Sequence, residues 1–292
     1  MIIVSGANGT LGRGVVEHLM SRLGPEGIGV SVREPDKAAA LAARGVRVRR
    51  GDFTDPDSLR DAFEGGRQVL IISSNTRAGD TLEQHRVAID AAVAAGAERI
   101  VYTSHAGARP DSHFPPARDH FATEQMLEDS GIPFTSLRNG FYAVTPSYYL
   151  GSMPDTAAIA VPRDGPVAWT TQADLAEAAA LILAEEGRFD GPSPALTAGE
   201  ALTFDDVAAI LADLTGREVK CQTIQDEDFV SAQVSEGMPE PAARFMLGMF
   251  LAARSGDFAT VNPTLEHLLG RPPTTLKEVL AKTVRHGSAG TR

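Results

Sequence analysis

A single cysteine, Cys221, stands among the 292 residues, so no intrachain disulfide and no cysteine-based zinc site can form. A lone cysteine then reads as a small, mostly apolar side chain. Positive charge is also short, with 27 Lys and Arg against 38 Asp and Glu and a net charge of -11. That deficit argues against general nucleic-acid binding and against adsorption to an anionic membrane, since both need surplus cations. No uninterrupted apolar run approaches the roughly 20 residues of a membrane span. The chain begins directly on an apolar strand without a basic leader, which reads as a cytoplasmic protein.

What is present is alternation. Short apolar runs at 2–5, 28–32, 46–52, 69–73, 99–104 and 134–139 read as strands. Amphipathic stretches at 10–23, 36–44, from about 57, at 82–95 and at 117–130 read as helices between them. Six strands alternating with five helices predict an α/β chain with a Rossmann-type doubly wound parallel sheet. Beyond residue 140 the pattern changes. A Pro/Gly-punctuated stretch (145–166) precedes two helices that start at Thr171/Asp174 and Thr203/Asp206, the second stopping at Gly216. A strand is expected at 219–224, and helical segments to Val284. The expected organisation is a dinucleotide-binding domain at 1–150, a smaller, mostly helical α/β substrate domain at 151–286 and a disordered tail at 287–292. The segment at about 167–188 is expected to pack back onto the first domain.

Gly6, Gly9 and Gly12 lie in VSGANGTLGRG, after the first strand and at the start of a helix. Such a turn permits a tight bend, close backbone approach to a pyrophosphate and close helix packing. The free N–H groups and positive dipole end of the helix then face the phosphates. The second strand ends about twenty residues later on Arg33, with Lys37 one helical turn on. NAD sites commonly place an acidic residue at this point for the ribose hydroxyls. Two cations suit an adenosine 2′-phosphate instead, so NADPH is expected over NADH. Asp52, after the third strand, either reaches the adenine amino group or caps the next turn.

Ligands in open α/β sheets lie beyond the carboxyl ends of the strands. That rule selects Ser73, Ser74 and Asn75, then Thr103, Ser104 and His105, then Asn139, Gly140, Phe141 and Tyr142. Gly140 would let the backbone approach the nicotinamide. Together with VREPDKAAAL, LIISS, QHR, VYTS, TEQMLEDSGI and LRNGFY, the GANGTLG turn resembles the NmrA-like branch of atypical short-chain dehydrogenases/reductases. Within it the likeness is to the quinone- and dye-reducing members. The resemblance covers almost the whole chain, and is most specific in the first 142 residues. It implies NADPH held by Gly6, Ala7, Asn8, Gly9, Thr10, Leu11 and Gly12, by Arg33, and by the segments Ser73–Asn75 and Leu137, Arg138, Asn139 to Tyr142.

A Tyr and a Lys four residues apart run most short-chain dehydrogenase chemistry, the lysine lowering the tyrosine's pKa. Here the positions four beyond the four tyrosines are Ala106, Pro146, Ser152 and Met153. Hydride addition to a simple ketone makes a basic alkoxide that demands an acid. Addition to a quinone or conjugated carbonyl needs mainly proximity and orientation, and the missing pair points to such flat, electron-poor acceptors. His120 and Tyr142 are the candidate proton donors. His120 with Glu124 also reads as an exposed i,i+4 pair, QHR as a capping or packing motif, and FMLGMF as core near the pocket. His105 and His113 have no convincing metal set around them. Three readings follow: an NADPH-dependent reductase of a small flat acceptor, an NADP(H)-sensing regulator, and a reductase dedicated to one natural-product intermediate. The sequence leaves a homodimer open.

Overall fold

The computed structural model describes residues 1–74, 80–149 and 158–289. In chain order it contains β1 (Ile2–Ser5), α1 (Thr10–Leu23), β2 (Ile28–Val32), α2 (Ala39–Ala42), β3 (Arg47–Arg50), α3 (Pro56–Phe63), β4 (Gln68–Ile71), α4 (Thr81–Ala94), β5 (Arg99–His105), α5 (Pro115–Asp129) and β6 (Phe134–Asn139). It continues with β7 (Ala158–Pro162), α6 (Gln172–Ala184), β8 (Gly191–Pro192), α7 (Phe204–Thr215), β9 (Lys220–Ile224), α8 (Asp226–Ser235), α9 (Glu240–Arg254), α10 (Thr264–Leu269) and α11 (Leu276–Ala289).

Seven strands form one sheet in the order β3-β2-β1-β4-β5-β6-β8, every neighbouring pair parallel. β1, β4 and β5 are buried on both faces, which is why their sequences run apolar without alternation. On one face Val4, Leu70, Val101 and Leu137 pack with α1, α6 and α10. On the other, Ile3, Ile71, Ile100 and Tyr102 pack with α3, α4 and α5. The strand order reverses between β1 and β4, which opens a crevice at their carboxyl ends. The expected doubly wound sheet is therefore present, with β8 as an additional two-residue edge strand.

Helix α6 is apolar nearly all round because it is covered on nearly all sides. Its Ala176 methyl lies 2.8 Å from where a Cβ on Gly14 would stand, so α1 and α6 approach at a distance only glycine allows. Both expected helix starts carry their caps: Thr171 accepts from Asp174 N–H, and Thr203 with Asp206 forms a reciprocal capping box.

A second core gathers Trp169, Phe204, Phe229, Leu247 and Phe250 under a two-stranded parallel sheet of β7 and β9. Sequence analysis placed β7 inside the Pro/Gly-punctuated stretch without marking a strand. Its five residues pair with partners 62 positions away, so no local pattern marks them. The expected helix at 36–44 is a 3-10 turn (Pro35–Ala38) followed by the four residues of α2, with Ala38 and Leu41 on the core. In the tail expected to be disordered, 287–289 close α11, and 290–292 lie outside the described residues.

Two close approaches clamp the second core against the β5–α5 loop: a Cβ on Gly107 would stand 2.9 Å from Asp257 O, and one on Gly248 2.8 Å from His113 O. Within the second core, a Cβ on Gly165 would stand 2.2 Å from Ala253 O. The buried Asp257 carboxylate accepts from Ser112 Oγ at 2.6 Å and from Arg109 at 2.9 Å. These contacts fix the loop between β5 and α5, on which the crevice opens.

Candidate functional site

The glycine turn does three different things. Gly6 has φ +63°, a conformation that costs L side chains energy. A Cβ on Gly12 would stand 2.5 Å from Gly6 O and 2.9 Å from Ala7 Cα, so the helix rests directly on the turn. Gly9 is exposed, and a Cβ there would meet only Gly6 O, at ordinary contact distance of 3.4 Å. The side chains of Ala7 and Leu11 are buried in the core. The first N–H groups of α1 have no intrahelical partner. No acidic side chain lies in its first turn, and no side chain caps it. Ser5 Oγ accepts Ile72 N–H at 2.9 Å and joins this turn to the end of β4.

Arg33 is exposed and, among the described residues, makes no hydrogen bond or ion pair. Lys37 is held at 2.7 Å by Glu34 on the same turn. Asn8 Nδ2 donates to Glu34 O at 3.1 Å, fastening the glycine turn to the loop that carries Arg33. Of the two readings of Asp52, the cap is present: its Oδ1 accepts Thr54 N–H and Oγ–H at 3.0 and 2.8 Å. Its Oδ2 has no partner among the described residues.

Beyond β4 and β5 the polar side chains bond mainly to one another. Ser73 N–H donates to Thr103 Oγ1 at 2.8 Å, whose hydroxyl reaches Ser73 Oγ at 3.2 Å. Ser74 Oγ–H donates to Gln84 at 2.6 Å, and Ser74 N–H donates to His85 Nε2 at 2.9 Å. Gln84 and His85 of QHR are thus buried and hold Ser74 beyond β4, whereas Arg86 is exposed. Asn75 lies outside the described residues. With Nε2 occupied by a donor, the His85 proton sits on Nδ1 and points to Thr123 Oγ1 at 2.8 Å. Burial lowers the His85 pKa to about 4. Tyr102 O–H meets His120 Nδ1 at 2.7 Å, and burial raises the phenol above its ordinary range. His120 is pushed well below its ordinary value by burial, and further by neighbouring His105 and His85.

Several expected site residues face the interior instead. Glu124 is not an exposed partner of His120. It is 3% exposed and accepts from Ser104 (2.8 Å), Ser136 (2.8 Å) and Arg138 (3.1 and 2.6 Å). The side chains of Ser104 and Arg138 are thereby turned under the sheet toward α5, and Leu137 is fully buried in the α1–α6 core. Gly140 does leave room for a close approach, but the approaching group is Thr170, whose Oγ1 would stand 2.3 Å from a Cβ. Tyr142 packs against the α1–α6 core and lines a shallow pocket with Ala143, Thr171 and Gln172; burial raises its phenol pKa.

Phe141 faces the other way, into an aromatic cluster. His105, at the end of β5, lies 5.4 Å from Phe141, 5.2 Å from Phe258 and 6.3 Å from Phe114, and stacks on His120 at 6.1 Å. Phe114 in turn contacts Phe245, a half-exposed residue of α9 in the FMLGMF stretch. Sequence analysis attached no role to His105, although the strand-end rule had selected its position. Across the register from it, Asn139 is 4% exposed, and its Oδ1 is buried without a partner.

The family model described as NmrA-like matches residues 1–283. Quinone oxidoreductase 2 of Escherichia coli K12 is 39% identical over 284 residues, covering 95% of this chain and 96% of that protein. An NAD(P)H azoreductase of Xenophilus azovorans is 30% identical, covering 95% and 96%. The crystal structure of an Escherichia coli NADPH-dependent quinone oxidoreductase complexed with NADPH superposes with a TM-score of 0.88 at 38% identity, covering 98% of this chain and 99% of that one. A Citrobacter triphenylmethane reductase complexed with NADP(H) gives 0.88 at 35% identity, covering 97% and 99%.

Proposed function

Since the chain belongs to the NmrA-like family, we propose that it is an NADPH-dependent oxidoreductase that reduces a small, flat, electron-poor acceptor such as a quinone or conjugated carbonyl. The observation that carries the cofactor assignment is Gly9. Gly6 and Gly12 are required by the protein's own backbone, whereas among the described residues no contact asks for glycine at the exposed Gly9. Open space before a helix end with free N–H groups and no acidic side chain fits a pyrophosphate.

The rest of the crevice fits the same molecule. Thr10, Leu11 and Gly12 would offer backbone N–H groups to the phosphates. Arg33, unpaired and exposed, would meet the 2′-phosphate in the bidentate manner that suits a guanidinium; Lys37, already bonded to Glu34, would add field more than contact. Asp52 keeps Oδ2 for the adenine amino group. The orphaned Asn139 Oδ1 is an acceptor that a nicotinamide carboxamide would complete. When bound, the reduced dinucleotide supplies two electrons as a hydride.

At the acceptor end the wall is Phe114, Phe141, Phe245 and Phe258, which suits a planar apolar ring and excludes water. Of the two candidate donors, His120 stands beside this wall, whereas Tyr142 faces the α1–α6 core. We therefore retain His120 on the acceptor side and give Tyr142 a packing role. Neither the buried phenol of Tyr102 nor a Tyr–Lys pair supplies a ready acid, so acceptors whose reduction leaves a weakly basic oxygen are favoured. No helix among the described residues is long and apolar enough to cross a membrane. On this reading the protein works in the cytoplasm, with its NADPH pool.

The test is spectrophotometric. Purified protein with NADPH and a panel of quinones should lose absorbance at the reduced-nicotinamide band. NADPH binding without accelerated oxidation by any acceptor would replace this reading with the regulatory one.

A further inference from the structure

We propose that His105 is the residue that contacts the acceptor, its Nε2–H donating to a carbonyl oxygen as a neutral imidazole. This rests on the function proposed above and concerns the acceptor half of the same crevice.

Four observations carry it. His105 is the last residue of β5, opposite Asn139, at the carboxyl edge of the sheet where the crevice lies. Its ring is enclosed by Phe114, Phe141, Phe258 and His120, drawn from the α5 approach, the β6 exit, the loop after α9 and α5 itself. Gly107 N–H donates to its Nδ1 at 2.9 Å, which places the ring proton on Nε2. That Nε2 is removed from water and has no partner; among the described residues it is the one buried side-chain nitrogen in this condition. An unpaired buried donor costs on the order of 1–3 kcal/mol, and a ligand oxygen would recover it.

His85 is the internal control. It too receives a backbone N–H on one ring nitrogen, but its other nitrogen points to Thr123. Of the two, only His105 has its proton aimed at no partner among the described residues.

The Gly107 amide also sets what His105 cannot do. An imidazolium would need a proton on Nδ1, facing a second donor. The loop cannot withdraw, because Gly107 is wedged against Asp257 O and Phe258. The one titratable ring against it is His120, itself neutral, and the remaining neighbours are phenylalanines. His105 therefore stabilises charge developing on the acceptor oxygen without giving up its proton. The acceptor gains two electrons and one hydrogen from the reduced nicotinamide and one proton from water, leaving hydroquinone and oxidised dinucleotide.

The decisive experiment requires no turnover. Protein labelled with 15N-histidine and saturated with NADP+ is titrated with 1,4-naphthoquinone, and the histidine ring resonances are followed. His105, assigned through His105→Asn, should show the Nε2–H tautomer from pH 6 to 8, and its Nε2–H signal should move as quinone binds. In steady state, His105→Leu should lower kcat/KM for the quinone by about 10- to 100-fold, as expected for one lost hydrogen bond in a dry site. It should leave NADP+ affinity unchanged and reduction of crystal violet, which has no oxygen, within about threefold. His105→Asn, which keeps an N–H donor, should recover part of the quinone rate. Quinone binding that leaves the His105 signal unmoved, or equal loss for quinone and dye, overturns the proposal while leaving the function intact. A quinone that perturbs no signal and accepts no electrons from NADPH overturns the function, and the proposal with it.

Discussion

At the β1 end of the crevice the groups proposed to meet the cofactor are backbone N–H donors of a glycine turn and one guanidinium without a partner among the described residues. At the β5 end they are side chains from α4, α5, β5, β6 and the second core, nearly all bonded to one another. The first end is open and prepared for charge. The second is enclosed, with aromatic side chains on one side and three buried rings held neutral: His85 and His105 near pKa 4, and Tyr102 raised above its ordinary range. The difference matches the two tasks. A dinucleotide presents a conserved anionic handle that backbone can hold, whereas acceptor choice requires shape and placed polar atoms that only side chains provide.

Acid should separate the two ends most strongly. His85 and His105 titrate near pH 4 in the folded protein and near 6.5 once unfolded. The unfolded chain then binds the extra protons, so their contribution is complete above about pH 7 and is lost as pH falls from 6.5 toward 4. Each histidine carries up to about 3 kcal/mol over that interval. Denaturant titrations across pH should show this slope, and His85→Gln should reduce it by one proton.

Removing the Glu124 carboxylate comes next. Glu124→Ala leaves Arg138, Ser104 and Ser136 without their acceptor, a loss of about 3–5 kcal/mol. Thermal melts should fall by about 10 °C, with NADPH affinity little changed in the protein that remains folded.

Within the dinucleotide end, two glycines should part. Gly12→Ala forces a Cβ against Gly6 O and should destabilise the fold by about 1–3 kcal/mol. Gly9→Ala meets no such contact, so its melting temperature should stay near wild type while NADPH affinity, read by fluorescence titration, falls about tenfold by crowding the phosphates. If both variants lose stability equally, Gly9 is structural and the open end is not a phosphate site.

The smallest effects concern cofactor choice. Arg33→Ala should weaken NADPH by about tenfold through one lost charge-assisted contact and leave NADH nearly unchanged. Lys37→Ala, whose ammonium Glu34 already holds, should change either by less than about threefold.

Much of the first end was legible from sequence because its signals are local. The Gly6–Gly9–Gly12 spacing states a backbone requirement, and Arg33 ends a strand that can be counted from the turn. The strand alternation likewise announced the sheet. At the second end the residue types were visible but their directions were not. Ser104 and Arg138 stand at strand ends as the expected ligand residues do, yet the pleat turns them to Glu124 beneath the sheet. Gly140 was selected correctly as a close approach, but the partner is Thr170, thirty residues later. His105 was selected by its strand end but given no role, because a lone histidine carries no pattern that says which way its ring points or what it meets.

The sequence by itself therefore determined the sheet, the glycine turn and the cationic end of β2, since each follows from neighbours within a few residues and from backbone geometry. Tertiary structure alone decided that His105 keeps an N–H unshared among the described residues, that Glu124 is a buried hub and that Tyr142 looks away from Phe141. Those outcomes depend on which side chains from distant segments meet after packing, and on which ring nitrogen a backbone amide happens to reach.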